Sequence, residues 1–319
     1  MTYSLCPPIL EVRKEAVFTN AITSAITTAV LNVKGGVGKT FITDLMASGL
    51  AGLPRDRVPR PIRVLVIDLD GQTNATLQAA LPEEVPLTIY DLLEAQLKAD
   101  ITQRPPRDTI QDAIVHSPYG YDIVPGDMLM SEANRTLSAP RAKRDTLFLK
   151  QALEPALSSD DWIFIDCPPA AGMVQRNAIA AADQLLVPCD RTTGSFQGLQ
   201  DVQAQLRALH AAGTTHAVLL GAVLTNATAR SKESKGNLQQ FVEMIQDSGV
   251  YCFPTIPSLD CVPDSINDCV PVWRKANAPQ RRVLAEFANT FLQQSRRVRT
   301  GAPREDQPYQ SVTNPQNQG

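Results

Sequence analysis

Short apolar runs bounded by turn residues recur along the chain, and between them apolar positions return at the spacing of a helix face. The β-prone runs are Ile26 to Val33, Val64 to Ile67, Ile123 to Val124, Trp162 to Ile165, Gln184 to Val187 and Ala217 to Leu224. Helical patterns occupy Phe41 to Leu50, Thr88 to Leu97, Thr146 to Leu157, Phe196 to Leu209 and Leu238 to Gln246. Strands alternating with helices predict an α/β fold, a mainly parallel twisted sheet with helices on both faces. Sheets of this kind take ligands at the carboxyl ends of their strands. Two stretches fall outside the pattern. Residues 1–25 read as an N-terminal extension too short for a domain, and residues 300–319 have the polar composition of a disordered tail. The expected single domain therefore runs from 26 to 299.

Composition narrows the class. At 43% hydrophobic and 20% charged residues, the chain has enough apolar material to bury a core and is not disordered throughout. Its apolar runs stop far short of the roughly 18 residues needed to span a bilayer, and no basic segment precedes a hydrophobic one at the N-terminus. A cytoplasmic protein is expected. The six cysteines include no CxxC pair, and with three histidines they predict reduced thiols rather than a zinc or iron–sulfur site.

Charge is unevenly placed. Between Pro271 and Arg304 stand Arg274, Lys275, Arg281, Arg282, Arg296, Arg297, Arg299 and Arg304 against Glu286 alone, a local +7; with a net charge of −3 the remainder carries −10. An acidic body with one basic end suggests an anionic polymer or surface as partner, although a solvated helix face would look the same. The loop from Gly52 to Arg63 holds four arginines and three prolines and reads as an exposed connection.

The sharpest chemical signal is Lys34-Gly35-Gly36-Val37-Gly38-Lys39-Thr40, which follows a predicted strand and opens a predicted helix. Glycines let backbone N–H groups turn inward around phosphate oxygens, and the helix N-terminus adds partial positive charge. In that setting Lys39 reaches the terminal phosphates and Thr40 offers its hydroxyl to Mg²⁺. The general phosphate loop has glycine five positions before Gly38; here Val33 stands there, and a second lysine, Lys34, precedes the double glycine.

This departure resembles the deviant Walker A loop of the ParA/MinD superfamily. Two further segments are similar in order: Val66-Ile67-Asp68-Leu69-Asp70-Gly71-Gln72-Thr73-Asn74-Ala75-Thr76 resembles switch I, with Gly71 and Thr73 in place of the usual proline and glycine, and Ile163-Phe164-Ile165-Asp166-Cys167-Pro168-Pro169 resembles Walker B and switch II. The likeness runs from about Thr28 to Leu292 and takes in TIYDLL, YDIVPGD, LLVPC and Pro254 to Val272.

The resemblance implies a P-loop ATPase with ATP and Mg²⁺ as cofactors. The nucleotide would lie against Lys34, Gly35, Gly36, Val37, Gly38, Lys39, Thr40 and Phe41, with Asn226 and Pro257 at the adenine. Thr40, Asp70 and Asp166 would serve the metal, Asp70 would orient the attacking water, and Asp68 would shape switch I. Lys34 would cross a two-fold interface to the phosphates of the other subunit, so Lys34, Lys39 and Asp70 form the catalytic set. An ATP-held homodimer that binds nonspecific DNA is then expected, with Arg274, Lys275, Arg281, Arg282, Arg296 and Arg297 as contacts. A ParB-like partner would stimulate hydrolysis during segregation of a plasmid, chromosome or other cargo on the nucleoid. The alternatives are a MinD-like membrane-positioning ATPase, which the unamphipathic ending YQSVTNPQNQG does not favour, and a metallocluster carrier, which the missing CxxC does not favour.

Overall fold

The structure is a computed structural model, and it describes residues 24–54, 58, 60–81, 85–138, 146–227 and 232–300. The proposed N-terminal extension up to Thr23, and the tail beyond Thr300, lie outside the described residues.

Seven strands form one sheet in the order β3-β4-β2-β5-β1-β6-β7. They are β1 (Ile26–Val30), β2 (Val64–Asp68), β3 (Val115–His116), β4 (Asp122–Val124), β5 (Trp162–Asp166), β6 (Gln184–Cys189) and β7 (Val218–Leu224). All neighbours pair in parallel except β3 with β4, a short antiparallel edge. The helices in chain order are α1 (Lys39–Ala51), α2 (Asn74–Gln78), α3 (Ile89–Thr102), α4 (Ile110–Ala113), α5 (Met130–Leu137), α6 (Phe148–Leu153), α7 (Met173–Ala181), α8 (Thr193–Ala211), α9 (Lys232–Asp247), α10 (Cys261–Asn267), α11 (Val272–Lys275) and α12 (Ala278–Thr300).

The central strands are buried along their whole length, which is why they read as continuous apolar runs rather than alternating ones. Successive residues feed different cores. Ala29, Leu65, Ile67, Ile163 and Ile165 face the side covered by α3, α5, α6, α7 and α8, whereas Ile26, Val30, Val64, Val66 and Phe164 face α1 and α12. On α12, Leu284, Phe287, Ala288, Phe291 and Leu292 follow the three-and-four spacing of one helix face and are all fully buried. The amphipathic stretch within Val283 to Leu292 is therefore spent on the core.

Several boundaries differ from the sequence reading; α3 runs on to Thr102 rather than Leu97, and α9 starts at Lys232 rather than Leu238. The first strand ends at Val30, not Val33: the Leu31 N–H still bonds the Leu186 carbonyl at 3.1 Å, but by Val33 the backbone bends into the glycine loop. The β3 edge strand was not expected, and its two residues offer too little pattern to register.

Candidate functional site

Register brings the motifs together. Val30 pairs with Asp166, and Asp166 pairs with Asp68, so the ends of β1, β5 and β2 lie at one level of the sheet. The loop after β1 and the carboxylates closing β2 and β5 are neighbours for that reason, though Val30 and Asp166 are 136 positions apart in sequence. At the loop, Gly36 and Gly38 take left-handed conformations, with φ of 75° and 85°. Gly38 is the residue immediately before α1. A side chain there would be strained, and the turn directs the first N–H groups of α1 toward the strand ends.

Asn32 fixes the base of the loop. Its Nδ2 donates to the carbonyls of Pro188 (2.9 Å) and Ser195 (3.3 Å), and its Oδ1 accepts from the Lys34 N–H at 3.0 Å. Gly198 on α8 permits this approach, since a Cβ there would fall 2.0 Å from Asn32 Oδ1. From the other side the Thr225 hydroxyl donates to the Val37 carbonyl at 2.7 Å.

The loop, switch I and the turn after β7 enclose a cavity of about 670 Å³. Gly35, Gly36, Gly38, Lys39, Thr40 and Phe41 line one end, with Asp70 beside them; Asn226 and Pro257 line it further along. Lys39 donates to the Lys34 carbonyl at 3.1 Å. Burial pulls its pKa down, against the opposing pull of Asp166, Cys167 and Asp70. The Thr40 hydroxyl donates to Asp166 Oδ2 at 2.6 Å, while Asp166 Oδ1 is buried without a partner. Asp68 Oδ2 accepts from the Thr76 N–H (2.9 Å) and hydroxyl (2.7 Å), and Asp68 Oδ1 from the Asp70 N–H at 3.1 Å. Thr76 Oγ1 in turn accepts from the Gly126 N–H at 2.8 Å, tying the Pro125 to Leu129 loop to switch I.

Burial raises the pKa of Asp68 and of Asp166, and for Asp166 the neighbouring Asp68 charge adds to it. Lys39 alone leaves two carboxylates held side by side in a dry setting short of positive charge. A divalent cation near Asp166 Oδ1 and the Thr40 hydroxyl supplies that charge and a partner for the orphaned oxygen, so these donors fit a hard, oxygen-binding metal such as Mg²⁺. The glycine turn, the α1 N-terminus and Lys39 fit a polyphosphate on the same side.

Not every expected residue lines the cavity. Val37 is buried and does not line it. Asp166 lies behind Thr40. Lys34 also lies off the cavity, its amine on Asp190 Oδ2 and on Thr192 Oγ1, the latter at 2.6 Å. Asn226 is in a left-handed turn with φ of 50°, which serves the turn as well as the cavity. The far wall, Leu259, Val262, Pro263 and Ile266, was missed along with Leu77. Their only sequence signal is apolar character, in a short helix or, for Leu259, just before one, indistinguishable from core.

The basic residues divide into two groups. Arg281 and Arg282 begin α12 while Arg296 and Arg297 approach its end, about 22 Å away at 1.5 Å per residue. Arg274 stacks over Tyr119, Lys275 is paired with Asp268, and Arg281 Nη2 donates to the Trp273 carbonyl at 3.0 Å. In the Gly52 to Arg63 loop, Arg60 grips Asp161, with Nη1 2.7 Å from Oδ2, so this arginine serves the fold.

The family described as AAA domain matches residues 25–219. The chain is 30% identical over 204 residues to the sporulation initiation inhibitor protein Soj of Bacillus subtilis, covering 64% of this chain and 73% of Soj. It is 32% identical over 185 residues to an uncharacterised Pseudomonas putida protein, covering 57% of this chain and spanning 63% of that protein's length. Among solved structures, an ATP complex of a McdA variant from Cyanothece superposes with a TM-score of 0.68 at 20% identity, covering 89% of this chain and 99% of that one. The parallel sheet with helices on both faces is thus the fold of these P-loop proteins.

Proposed function

Because this chain belongs to the AAA-domain family of ParA/MinD-type ATPases, we propose that it is an ATP-dependent dimerising ATPase. In this reading the ATP dimer binds nonspecific DNA and positions a large cargo on the nucleoid with a ParB-like partner that stimulates hydrolysis. Within each subunit Lys39 grips the β- and γ-phosphates, the backbone of Gly35 to Thr40 cradles them, and Asn226 and Pro257 meet the adenine. Thr40 and Asp166 would hold Mg²⁺, which would supply positive charge to the phosphoryl oxygens. Asp70, at the cavity edge, orients the attacking water by accepting its hydrogen bond.

The observation that carries this reading is the opposite disposition of the two loop lysines. Lys39 lines its own cavity and is buried, whereas Lys34 lies outside that cavity with its side chain 31% exposed. A phosphate loop needs one lysine on its own phosphates; the second, off the cavity and partly exposed, is placed to serve another molecule's phosphates once it leaves Asp190. Bringing two such lysines into a closed interface without counter-charge costs several kcal/mol, so triphosphate would be the glue. The apolar stripe of α12 is buried in the core and so is not available to insert into a bilayer.

Dimerisation and nucleotide binding test it. Lys39→Ala is expected to abolish ATP binding, while Lys34→Ala binds ATP but stays monomeric in analytical ultracentrifugation with a nonhydrolysable triphosphate. A Lys34→Ala dimer of normal affinity sinks the proposal.

A further inference from the structure

Lys34 is held by its own subunit. Its amine pairs with Asp190 Oδ2 and donates to Thr192 Oγ1 at 2.6 Å. Thr192 donates to Asp190 Oδ1 at 2.6 Å and receives the Ser195 N–H at 3.4 Å, capping α8. The Asp190 N–H is itself tied to the Ser195 hydroxyl at 2.9 Å. The Lys34 stem passes over the first turn of α8, where a Cβ on Gly194 would lie 3.9 Å from Lys34 Cδ.

That position is electrostatically unfavourable for a cation on its own. The N-terminus of α8 presents partial positive charge to it, as does the N-terminus of α1 a few residues along the loop, and Lys39 adds a full charge with its amine on the Lys34 carbonyl. The Asp190 carboxylate is what balances it, and although burial pushes its pKa up, the hydrogen bonds from Lys34 and Thr192 hold it below the usual range. The pair is partly exposed, with side chains 31% and 25% accessible, so it is screened by water and readily exchanged.

We propose that Asp190 is a positioning residue that parks Lys34 within its own subunit, so that closing the dimer exchanges Asp190 for the triphosphate of the other subunit and Asp190 sets the threshold for dimerisation. The proposal rests on the dimerising-ATPase reading. A two-fold dimer breaks two such pairs, so any change in one pair enters the dimer dissociation constant squared.

The test is sedimentation of the full chain with a nonhydrolysable ATP analogue, with ADP and without nucleotide. Asp190→Asn is expected to tighten the analogue-bound dimer by at least about 5-fold, the low end of ordinary coupling between sites, and to leave the empty and ADP forms monomeric. Asp190→Glu should restore the wild-type constant, and Asp190→Asn should have no effect in a Lys34→Ala background. Nucleotide affinity of the single variant, unchanged, would show the site intact. A dimer constant unaltered by Asp190→Asn overturns the proposal, and so does a weakened dimer, which would make Asp190 a support of the closed state. If Lys34→Ala loses the dimer while Asp190→Asn changes nothing, this inference fails and the dimerising reading stands; if Lys34→Ala dimerises normally, both fail.

Discussion

Thr73 is the residue where this chain departs most physically from the switch I pattern it resembles. It occupies the position where that pattern has glycine, and it retains glycine's backbone, with φ of 54° and ψ of 29°. A β-branched residue in the left-handed region is strained by about 1 to 3 kcal/mol. The strain is borne in a tight turn where the Thr73 N–H donates to the Asp70 carbonyl at 2.9 Å and the Gln72 N–H to Asp70 Oδ1 at 3.0 Å, so it holds the carboxylate assigned to the attacking water. Thr73→Gly should relieve it. Set against glycine's extra unfolded-state entropy of roughly 0.5 to 1 kcal/mol, a net gain of about 1 kcal/mol is expected, read as a higher urea midpoint at unchanged m-value. A lower midpoint would mean the turn is not strained. Neither the conformation nor its cost is visible in the string GQTNAT; the substitution itself was.

At the scale of elements, the joint between α1 and α11 contains a buried carboxylate unconnected with the phosphate chemistry. Asp44 on α1 accepts the Val272 N–H at 3.4 Å and interacts with Tyr121, while Trp273 Nε1 donates to the Leu45 carbonyl at 2.9 Å. Burial pushes Asp44 up from 3.8 to about 7, against the smaller pull of Val272 and Tyr121. The unfolded chain ionises it from 3.8 upward and the fold does not, so its stabilising contribution is complete below 3.8 and is lost as pH rises to about 7. Asp44→Asn keeps the shape without the charge. Thermal melts should find the variant more stable than wild type at pH 8, with the difference in Tm shrinking toward pH 5; parallel curves would show that Asp44 ionises freely in the fold. In the sequence this aspartate looked like any polar residue on a helix, because its partners come from 77 and 228 positions away.

For the whole molecule, the fold resolves the basic end into separate groups rather than a single patch. If DNA lies along α12, both ends of that helix touch phosphates, about 22 Å apart. Arg281 also supports the Trp273 carbonyl, so a clean test leaves it in place. Replacing Arg282, Arg296 and Arg297 by alanine should weaken ATP-dependent binding to any duplex sequence and flatten its salt dependence by about 0.9 per lost phosphate contact. Comparing Arg282→Ala with the Arg296→Ala/Arg297→Ala pair tells which end contributes, and an unchanged slope in both moves the contact elsewhere. The amino-acid order by itself determined the glycine turn between β1 and α1, the carboxylates closing β2 and β5, and the parallel sheet, because each of these is a local pattern: glycines whose spacing dictates a turn, an acid at the end of an apolar run, strands spaced by helices. Only the tertiary structure decided that Lys34 faces Asp190, that Thr76 links Asp68 to the Gly126 loop and that Leu259, Val262 and Ile266 wall the cavity. Those meetings depend on strand register and helix packing between residues far apart in the chain, and a charge or an apolar side chain carries no mark of which distant neighbour will balance or cover it.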